Sequence, residues 1–199
     1  MKGKALFGLG CGVVLLIGVA LVLLLGVGGY NHLVTLSEQT DAAWGQVENV
    51  YQRRADLVPN LVATVKGAAS FERETFEAVT EARAKVGQVQ FNGAPTPEQM
   101  ASFQQAQDSL SSALSRLLVV VEKYPELKAT EAFRDLQSQL EGAENRIAVE
   151  RRRFNEAAQA YNTARKTFPT IVVANFMGFG EKPYFKSQEG ADRAPEVKF

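Results

Sequence analysis

A long run without charges most constrains what this chain can fold into. Residues 5–37 contain no Asp, Glu, Lys or Arg, and residues 5–27 consist almost wholly of Leu, Val, Ile, Ala and Gly. Because about 20 apolar residues in a helix cross the ~30 Å hydrocarbon core of a bilayer, a run of this length can span a membrane. We predict a transmembrane helix over residues 5–28.

A cleaved signal peptide is the competing interpretation of this run. Its apolar region would be about 7 to 15 residues long, which is shorter than the run observed. Cys11, preceded by Gly8-Leu9-Gly10, weakly suggests a lipoprotein signal, but most of the apolar run follows it. A retained anchor is therefore favoured, and a modification of Cys11 stays open.

The charges that flank the span predict its orientation. Lys2 and Lys4 precede it, whereas the first charges after it are acidic, at Glu38 and Asp41. By the positive-inside rule, residues 1–4 are expected to be cytoplasmic and the body extracytoplasmic.

The composition excludes several classes of function. Twenty-two basic residues balance 22 acidic ones, so there is no excess cation with which to bind nucleic acid. One Cys and one His rule out a disulfide framework, a zinc site that needs two thiolates or two histidines, and a bundle di-iron site. We expect no cofactor and no enzymatic activity.

The body, residues 29–169, is predicted to be an antiparallel bundle of three to four long helices. Apolar residues recur at helical spacing from about Asn31, and the spacing resumes after Pro59 as far as Gly87. Since apolar spacing is kept on both sides of Pro59, we expect a kink there and not a reversal. The first helix is thus expected to continue to about Gly87.

Two further helices follow a connection rich in Gly and Pro. Thr96-Pro97-Glu98-Gln99 is a capping box with proline at the first helical position, so a helix is expected to begin there and to end near Pro125. The last helix, from about Ala129 to Pro169, carries one unbroken stripe at 3,4 spacing. The stripe comprises Phe133, Leu136, Leu140, Ala143, Ile147, Glu150, Phe154, Ala157, Tyr161, Ala164 and Phe168.

Two charges interrupt the apolar stripes, Arg83 in the first helix and Glu150 in the last. If the first and last helices run parallel, each position on the last lies beside one about 68 residues earlier, which places Glu150 level with residue 82. We therefore predict a structural ion pair between Arg83 and Glu150, the alternative being that both side chains reach solvent at the edge of the seam.

Residues 170–199 lose helical periodicity and are rich in aromatic residues, Gly and Pro. Because a disordered tail would lack such aromatics, this segment is expected to pack on the bundle. A groove that binds a partner is the alternative interpretation.

Other polar residues have simpler interpretations than a site. Helical carboxylates, here Glu72, Glu74, Glu77, Glu81, Glu141 and Glu144, usually form a solvated face and only rarely a metal site. His32 has no neighbour in sequence that would make it a ligand or a pH switch. The run Arg151-Arg152-Arg153 could bind an anion, but mixed charge on an outer helix face is the commoner meaning.

Long ordered segments resemble the bacterial LemA family. They are the span followed by YNHLVTLSEQTDAAWGQVENVYQRRADLVPNLVATVKG, then QLEGAENRIAVERRRFNEAAQAYNTARKTFP, then GF and a closing YF...AP.V.F. The resemblance implies a single-pass membrane protein with a helical-bundle domain and no established enzyme activity. It also hints at membrane metallopeptidases or TPM-domain proteins as partners.

Two functional hypotheses follow. The first is a structural or accessory module of the bacterial cell membrane that holds or recruits other envelope proteins. The second is a ligand-binding sensor, which would need a separate transducing partner because only four residues precede the span.

Overall fold

All the secondary structure assigned in the computed structural model is helical. The structure describes residues 2–68, 72–89, 91 and 93–186, with side chains from residue 15 onward. In chain order the helices are α1 (Lys2–Ala68), α2 (Arg73–Gly87), α3 (Pro97–Val121), α4 (Pro125–Lys128), α5 (Glu131–Lys166) and α6 (Thr170–Met177). The predicted all-α fold is confirmed.

Helix α1 contains the apolar run. Within the part of the chain that the structure describes, α1 alone is long and apolar enough to cross a membrane, judged by length and composition. The large apolar side chains from Leu15 to Val27 are exposed. The side chain of Cys11 lies outside the described residues.

The chain divides into two compact units. The N-terminal unit comprises Met1–Thr40 and Ala157–Glu181, and the helical body comprises Asp41–Glu156 and Lys182–Phe199. The predicted division into a bundle at 29–169 and a tail at 170–199 differs from this partition, because both units combine an early and a late part of the chain.

Pro59 lies inside α1, which continues to Ala68. The chain does not reverse at Pro59, and the kink itself stays a prediction. The prediction of one helix to Gly87 is wrong, because α2 lies antiparallel to α1. The Nε of Arg83 donates to the carbonyl of Ala55 at 3.0 Å, while Phe76 lies beside Val62.

The break between α1 and α2 has a physical reason. Folding back buries Phe76, Val79 and Ala82 of α2 together with Leu61 and Val65 of α1. A continuous helix would leave those faces in water. The 3,4 spacing stays in phase across the break, which is why periodicity did not reveal it.

The four long helices of the helical body run up, down, up and down. Phe103 of α3 packs on Tyr51, and Gln107 lies beside Arg54, so α3 is parallel to this part of α1. On α5, Glu144 contacts Arg54 and Phe154 contacts Trp44, so α5 is antiparallel to α1.

Helix α3 begins as predicted. The Thr96 hydroxyl accepts from the Gln99 amide and the Gln99 side chain accepts from the Thr96 amide, with Pro97 at the first helical position. The short helix α4, between α3 and α5, was not predicted. Thr130 precedes α5, and its hydroxyl accepts from the Phe133 amide at 3.3 Å.

The predicted stripe of α5 forms core within the helical body. Phe133, Leu140, Ala143, Ile147 and Phe154 are buried, and Leu136 is half-buried. The predicted outward positions are exposed: Arg134, Asp135, Asn145 and Arg152. At the other end the stripe fails, because α5 stops at Lys166 and the Phe168 side chain is exposed.

Truncating Leu140 to alanine should lower the free energy of unfolding by about 2 to 5 kcal/mol, because it leaves a cavity among α1, α2 and α3 side chains. Urea titration of the full chain in detergent, followed by circular dichroism, measures the loss. Val149 is exposed on the same helix, and Val149→Ala should change stability by only about 0.5 kcal/mol. Equal effects for the two variants would mean that the stripe is not core.

The N-terminal unit has its own small core. Leu33 of α1, Tyr161 of α5 and Ala174 of α6 are buried together. The Tyr161 hydroxyl contacts the carbonyl of Gly180 at 2.9 Å. Residues 170–177 form helix α6, although the sequence showed no helical periodicity there. Gly178 caps this helix with a φ of 74°, the left-handed conformation typical of a helix C-terminus.

Candidate functional site

A buried arginine lies at the centre of the helical body. Arg54 of α1 is 2% exposed, and its guanidinium reaches between α3 and α5. Nη1 donates to the Ser111 hydroxyl at 3.0 Å and to Glu144 Oε1 at 2.6 Å. Nη2 donates to the side-chain oxygen of Gln107, which is itself buried. Arg54 thus joins three helices by polar contacts.

The chemistry of this cluster is that of a fixed charge. A guanidinium does not deprotonate in proteins, so Arg54 cannot act as an acid or a base. Tyr51 lies under the guanidinium, with the ring centroid 5.1 Å from Cζ. Burial raises the pKa of Tyr51 above its ordinary value, and the positive charges of Arg151 and Arg54 act in the opposite direction.

The Arg54 cluster reaches solvent at Glu144. The Glu144 side chain is 52% exposed, whereas Gln107 is buried. The Nε of Arg54 and the amide nitrogen of Gln107 have no hydrogen-bond partner in the structure. Because an unpaired buried donor is unfavourable, this cluster is better suited to fixing the register of three helices than to adding stability.

An aromatic cluster surrounds Trp44 on the same part of α1. Among the described residues of the helical body, the fully buried indole has four aromatic neighbours, at centroid distances of 5.2 to 6.0 Å. They are Phe91, Phe103, Phe154 and Phe185. Phe185 comes from the C-terminal segment, so this segment completes the core of the helical body.

Helix α5 holds the C-terminal segment by backbone contacts. The Asn155 side chain accepts from the Phe185 amide at 2.8 Å and donates to the Phe185 carbonyl at 3.0 Å. Arg151 lies over the Phe185 ring at 4.6 Å and donates to the carbonyl of Lys186. Phe185 and Lys186 of the C-terminal segment thus contact α5, whereas residues 187–199, with Pro195 and Phe199, lie outside the described residues.

Asp41 fixes two further segments at the start of the helical body. Its Oδ1 accepts from the Ala94 amide at 2.7 Å and lies 3.1 Å from the Lys182 ammonium. Gly93 has a φ of 94°, and a β-carbon there would lie 3.4 Å from Asp41 Oδ1. Glycine therefore suits this position for two reasons: it adopts the positive φ without strain, and it leaves room for the Asp41 carboxylate.

A groove of about 690 Å³ lies between α2 and α3. Small side chains lie along it, including Ala78, Ala82, Ala101, Ser109 and Ser112. Charges of both signs also line it, namely Glu81, Lys85, Asp108 and Arg116.

The predicted ion pair between Arg83 and Glu150 does not form. Arg83 donates to the carbonyl of Ala55, and Glu150 pairs with Arg153 at 2.8 Å. The physical reason is the unpredicted reversal before α2, which adds one helix and makes α5 antiparallel to α1. Glu150 then lies near the level of Glu48 on α1, whereas Arg83 lies beside Ala55, about two helical turns away.

Three of the carboxylates singled out in the sequence take partners one helical turn away. Glu77 pairs with Arg73, Glu81 with Lys85, and Glu141 accepts from Gln137. In the part of the chain that the structure describes, no three His, Cys, Asp or Glu side chains are grouped so that they could hold a metal ion. Of the three consecutive arginines, Arg151 contacts Phe185 while Arg152 and Arg153 are exposed.

Sequence reasoning missed Arg54, although a signal for it exists. Tyr51, Arg54 and Val58 continue the 4,3 spacing of the buried stripe on α1. A charge at a buried-stripe position indicates a buried polar contact, as was argued for Glu150. Asp41 and Asn155 have no comparable signal, because their partners are far away in sequence: backbone groups of Ala94 and Phe185, and the Lys182 ammonium.

Known proteins resemble this chain over most of its length. Magnetosome protein MamQ 2 of Paramagnetospirillum magneticum is 28% identical over 182 residues, which cover 82% of this chain and 66% of the relative. Protein LemA of Metamycoplasma hominis is 24% identical over 163 residues, covering 82% of this chain and 71% of that protein. The chain thus spans somewhat less than two thirds of the MamQ proteins.

The family assignment agrees with these relatives. Residues 43–199 match the LemA family, a range that includes the helical body from Ala43 onward and the whole of α6. The match also includes Trp44, Arg54, Gly93 and Asn155, which build the contacts described above. The chain belongs to the LemA family.

Proposed function

We propose that this protein is a membrane-anchored accessory module that binds another envelope protein and has no catalytic activity of its own. The observation that carries the proposal is the groove between α2 and α3. Its small side chains allow close approach of another helix, and its mixed charges favour a protein segment over a polyanion. The groove belongs to the helical body, whose polar residues Arg54 and Asp41 are engaged within the fold.

The anchorage proposed is a single pass through residues 5–28, with residues 1–4 in the cytoplasm and the helical body outside. The exposed apolar side chains between residues 15 and 27 support this arrangement, as do the two lysines that precede residue 5. The names of the MamQ relatives refer to a magnetosome and not to a reaction, which is compatible with an accessory role. The family resemblance suggests a membrane metallopeptidase or a TPM-domain protein as the partner.

Protease added to intact spheroplasts tests the topology. It should digest the helical body from outside, because only residues 1–4 are expected in the cytoplasm. Protection in spheroplasts, with digestion in inside-out vesicles, would contradict the proposed orientation.

Site-specific photo-crosslinking in cells tests the groove. A photoreactive residue at Ser109, in the groove, should form a discrete adduct that mass spectrometry identifies as an envelope protein. Ser138, exposed on α5, is the matched control position and should form no such adduct. The adduct should also disappear when Ser112, another exposed groove residue, is replaced by arginine, which adds bulk and charge without entering the core.

Equal labelling of the same protein from both positions would overturn the groove as the binding surface. Persistence of the adduct after Ser112→Arg would do so as well.

A further inference from the structure

Helix α6 carries an exposed apolar face that no described residue covers. Phe176 is 85% exposed, Val172 is 60% exposed and Met177 is 56% exposed. Val172 and Phe176 are four residues apart and lie on the same side of the helix. Phe168, just before α6, is exposed as well. Large apolar side chains grouped in this way mark an interaction surface.

The position of α6 in the N-terminal unit indicates what covers this face. The opposite side of α6 packs on α1 at Gly29, where a β-carbon would lie 3.4 Å from Val173 Cγ2. Ala174 is buried with Leu33 and Tyr161. Helix α6 therefore contacts α1 directly after the apolar run of residues 5–28, where the proposed span leaves the bilayer.

The apolar run of α1 and the segment that contains α6 both lack charged residues. No Asp, Glu, Lys or Arg occurs in residues 5–37 or in residues 167–180. Leu24, Leu25 and Val27, on the last turns of the run, are exposed like Val172 and Phe176. Tyr30 contacts the Phe179 ring at 5.7 Å, and aromatic residues of this kind are enriched where a helix leaves the hydrocarbon core.

We propose that α6 is a second membrane contact, which inserts Val172 and Phe176 into the lipid surface beside the end of the α1 span. An amphipathic segment at this depth lies at the boundary between head groups and acyl chains. The geometry favours a lipid bilayer as the partner that covers this face. The face lies beside α1 where residues 5–28, the proposed span, leave the membrane. This inference depends on the proposed anchorage of residues 5–28.

Fluorescent labelling of the full chain in proteoliposomes tests the contact. In a Cys11→Ser background, single cysteines at Val172 and Phe176 are labelled with a polarity-sensitive thiol dye. Emission at both positions should shift to the blue relative to the dye in water, and spin-labelled lipids should quench it. Two positions are used so that a local disturbance at one does not decide the result.

Two controls separate this inference from the anchorage on which it depends. Val22→Cys, in the apolar run, should report lipid, and Val119→Cys, exposed on α3, should report water. If Val22 itself reports water, the anchorage fails. If Val22 reports lipid while residues 172 and 176 behave like Val119, only the role of α6 is overturned.

The ratio of protein to lipid separates a bilayer from a second copy of the chain. Insertion into lipid predicts a blue shift and quenching that do not change when the protein is diluted with lipid. A signal that disappears on dilution would mean that α6 covers another copy, and the proposed lipid contact would be wrong.

Discussion

Replacing Arg54 with methionine should lower the free energy of unfolding by about 3 kcal/mol. The change leaves the buried Gln107 side chain without the group to which it is bonded, and an unsatisfied buried polar group costs about 1 to 3 kcal/mol. The loss of the ion pair with Glu144 adds less, because the Glu144 side chain is 52% exposed and its carboxylate stays hydrated when Arg54 is removed. Urea titration of the full chain in detergent, followed by Trp44 fluorescence, measures the effect.

Arg53 provides a matched control for this variant. It precedes Arg54 in the chain and is exposed, so Arg53→Met should change stability by only about 0.5 kcal/mol. Glu144→Gln should be milder than Arg54→Met, because glutamine keeps a side-chain oxygen that can accept from Nη1 of Arg54, and only the charge is lost. Arg54→Lys should also be less stable than the unmodified chain, although it keeps the positive charge. An ammonium lacks the planar set of donors that reaches Ser111, Gln107 and Glu144 together. Indistinguishable effects of Arg53→Met and Arg54→Met would show that the contacts of Arg54 do not stabilise the body.

Replacing Trp44 with alanine should lower the free energy of unfolding by about 3 to 5 kcal/mol, the range for truncating a large buried aromatic. The cavity would remove the contacts with Phe91, Phe103, Phe154 and Phe185 together. The variant should also release the C-terminal segment, since Phe185 packs on the indole. Circular dichroism during urea titration measures stability, and the rate of limited proteolysis after Lys186 measures release.

Val119→Ala is the control for the cavity, because Val119 is exposed on α3. It should leave both the unfolding midpoint and the proteolysis rate close to those of the unmodified chain. A Trp44→Ala variant that resembles it in both measurements would mean that the aromatic cluster does not organise the body.

Periodicity predicted the faces of the helices better than their directions. The stripe of α5 indicated which side is buried, because a 3,4 repeat depends only on local geometry. The reversal between α1 and α2 escaped detection because residues on both sides of Ala69 share one phase of the repeat. Missing that single turn changed the direction of every later helix relative to α1, and the ion pair between Arg83 and Glu150 failed for that reason alone.

Contacts between segments that are distant in the chain could not be predicted from sequence patterns. Asn155 binds the backbone of Phe185 and Asp41 binds the amide of Ala94; every residue carries such groups, so nothing in those partner segments identifies them. The burial of Arg54 could have been predicted, since Arg54 occupies a position of the buried stripe between Tyr51 and Val58. The helical nature of residues 170–177 was missed because an eight-residue helix contains too few turns to establish a period.

The bond between Asp41 and Lys182 has a consequence for the order in which the protein is made. These residues are separated by 141 positions, and Phe185 reaches Trp44 across a similar distance in the chain. Synthesis delivers α1 first and residues 182–186 only after α6. A nascent chain therefore reaches the membrane with Trp44 and Phe154 still uncovered by Phe185. Until residues 182–186 are synthesised, the aromatic surface around Trp44 is exposed and can associate with other chains. Such exposure during folding is expected where contacts join segments distant in sequence.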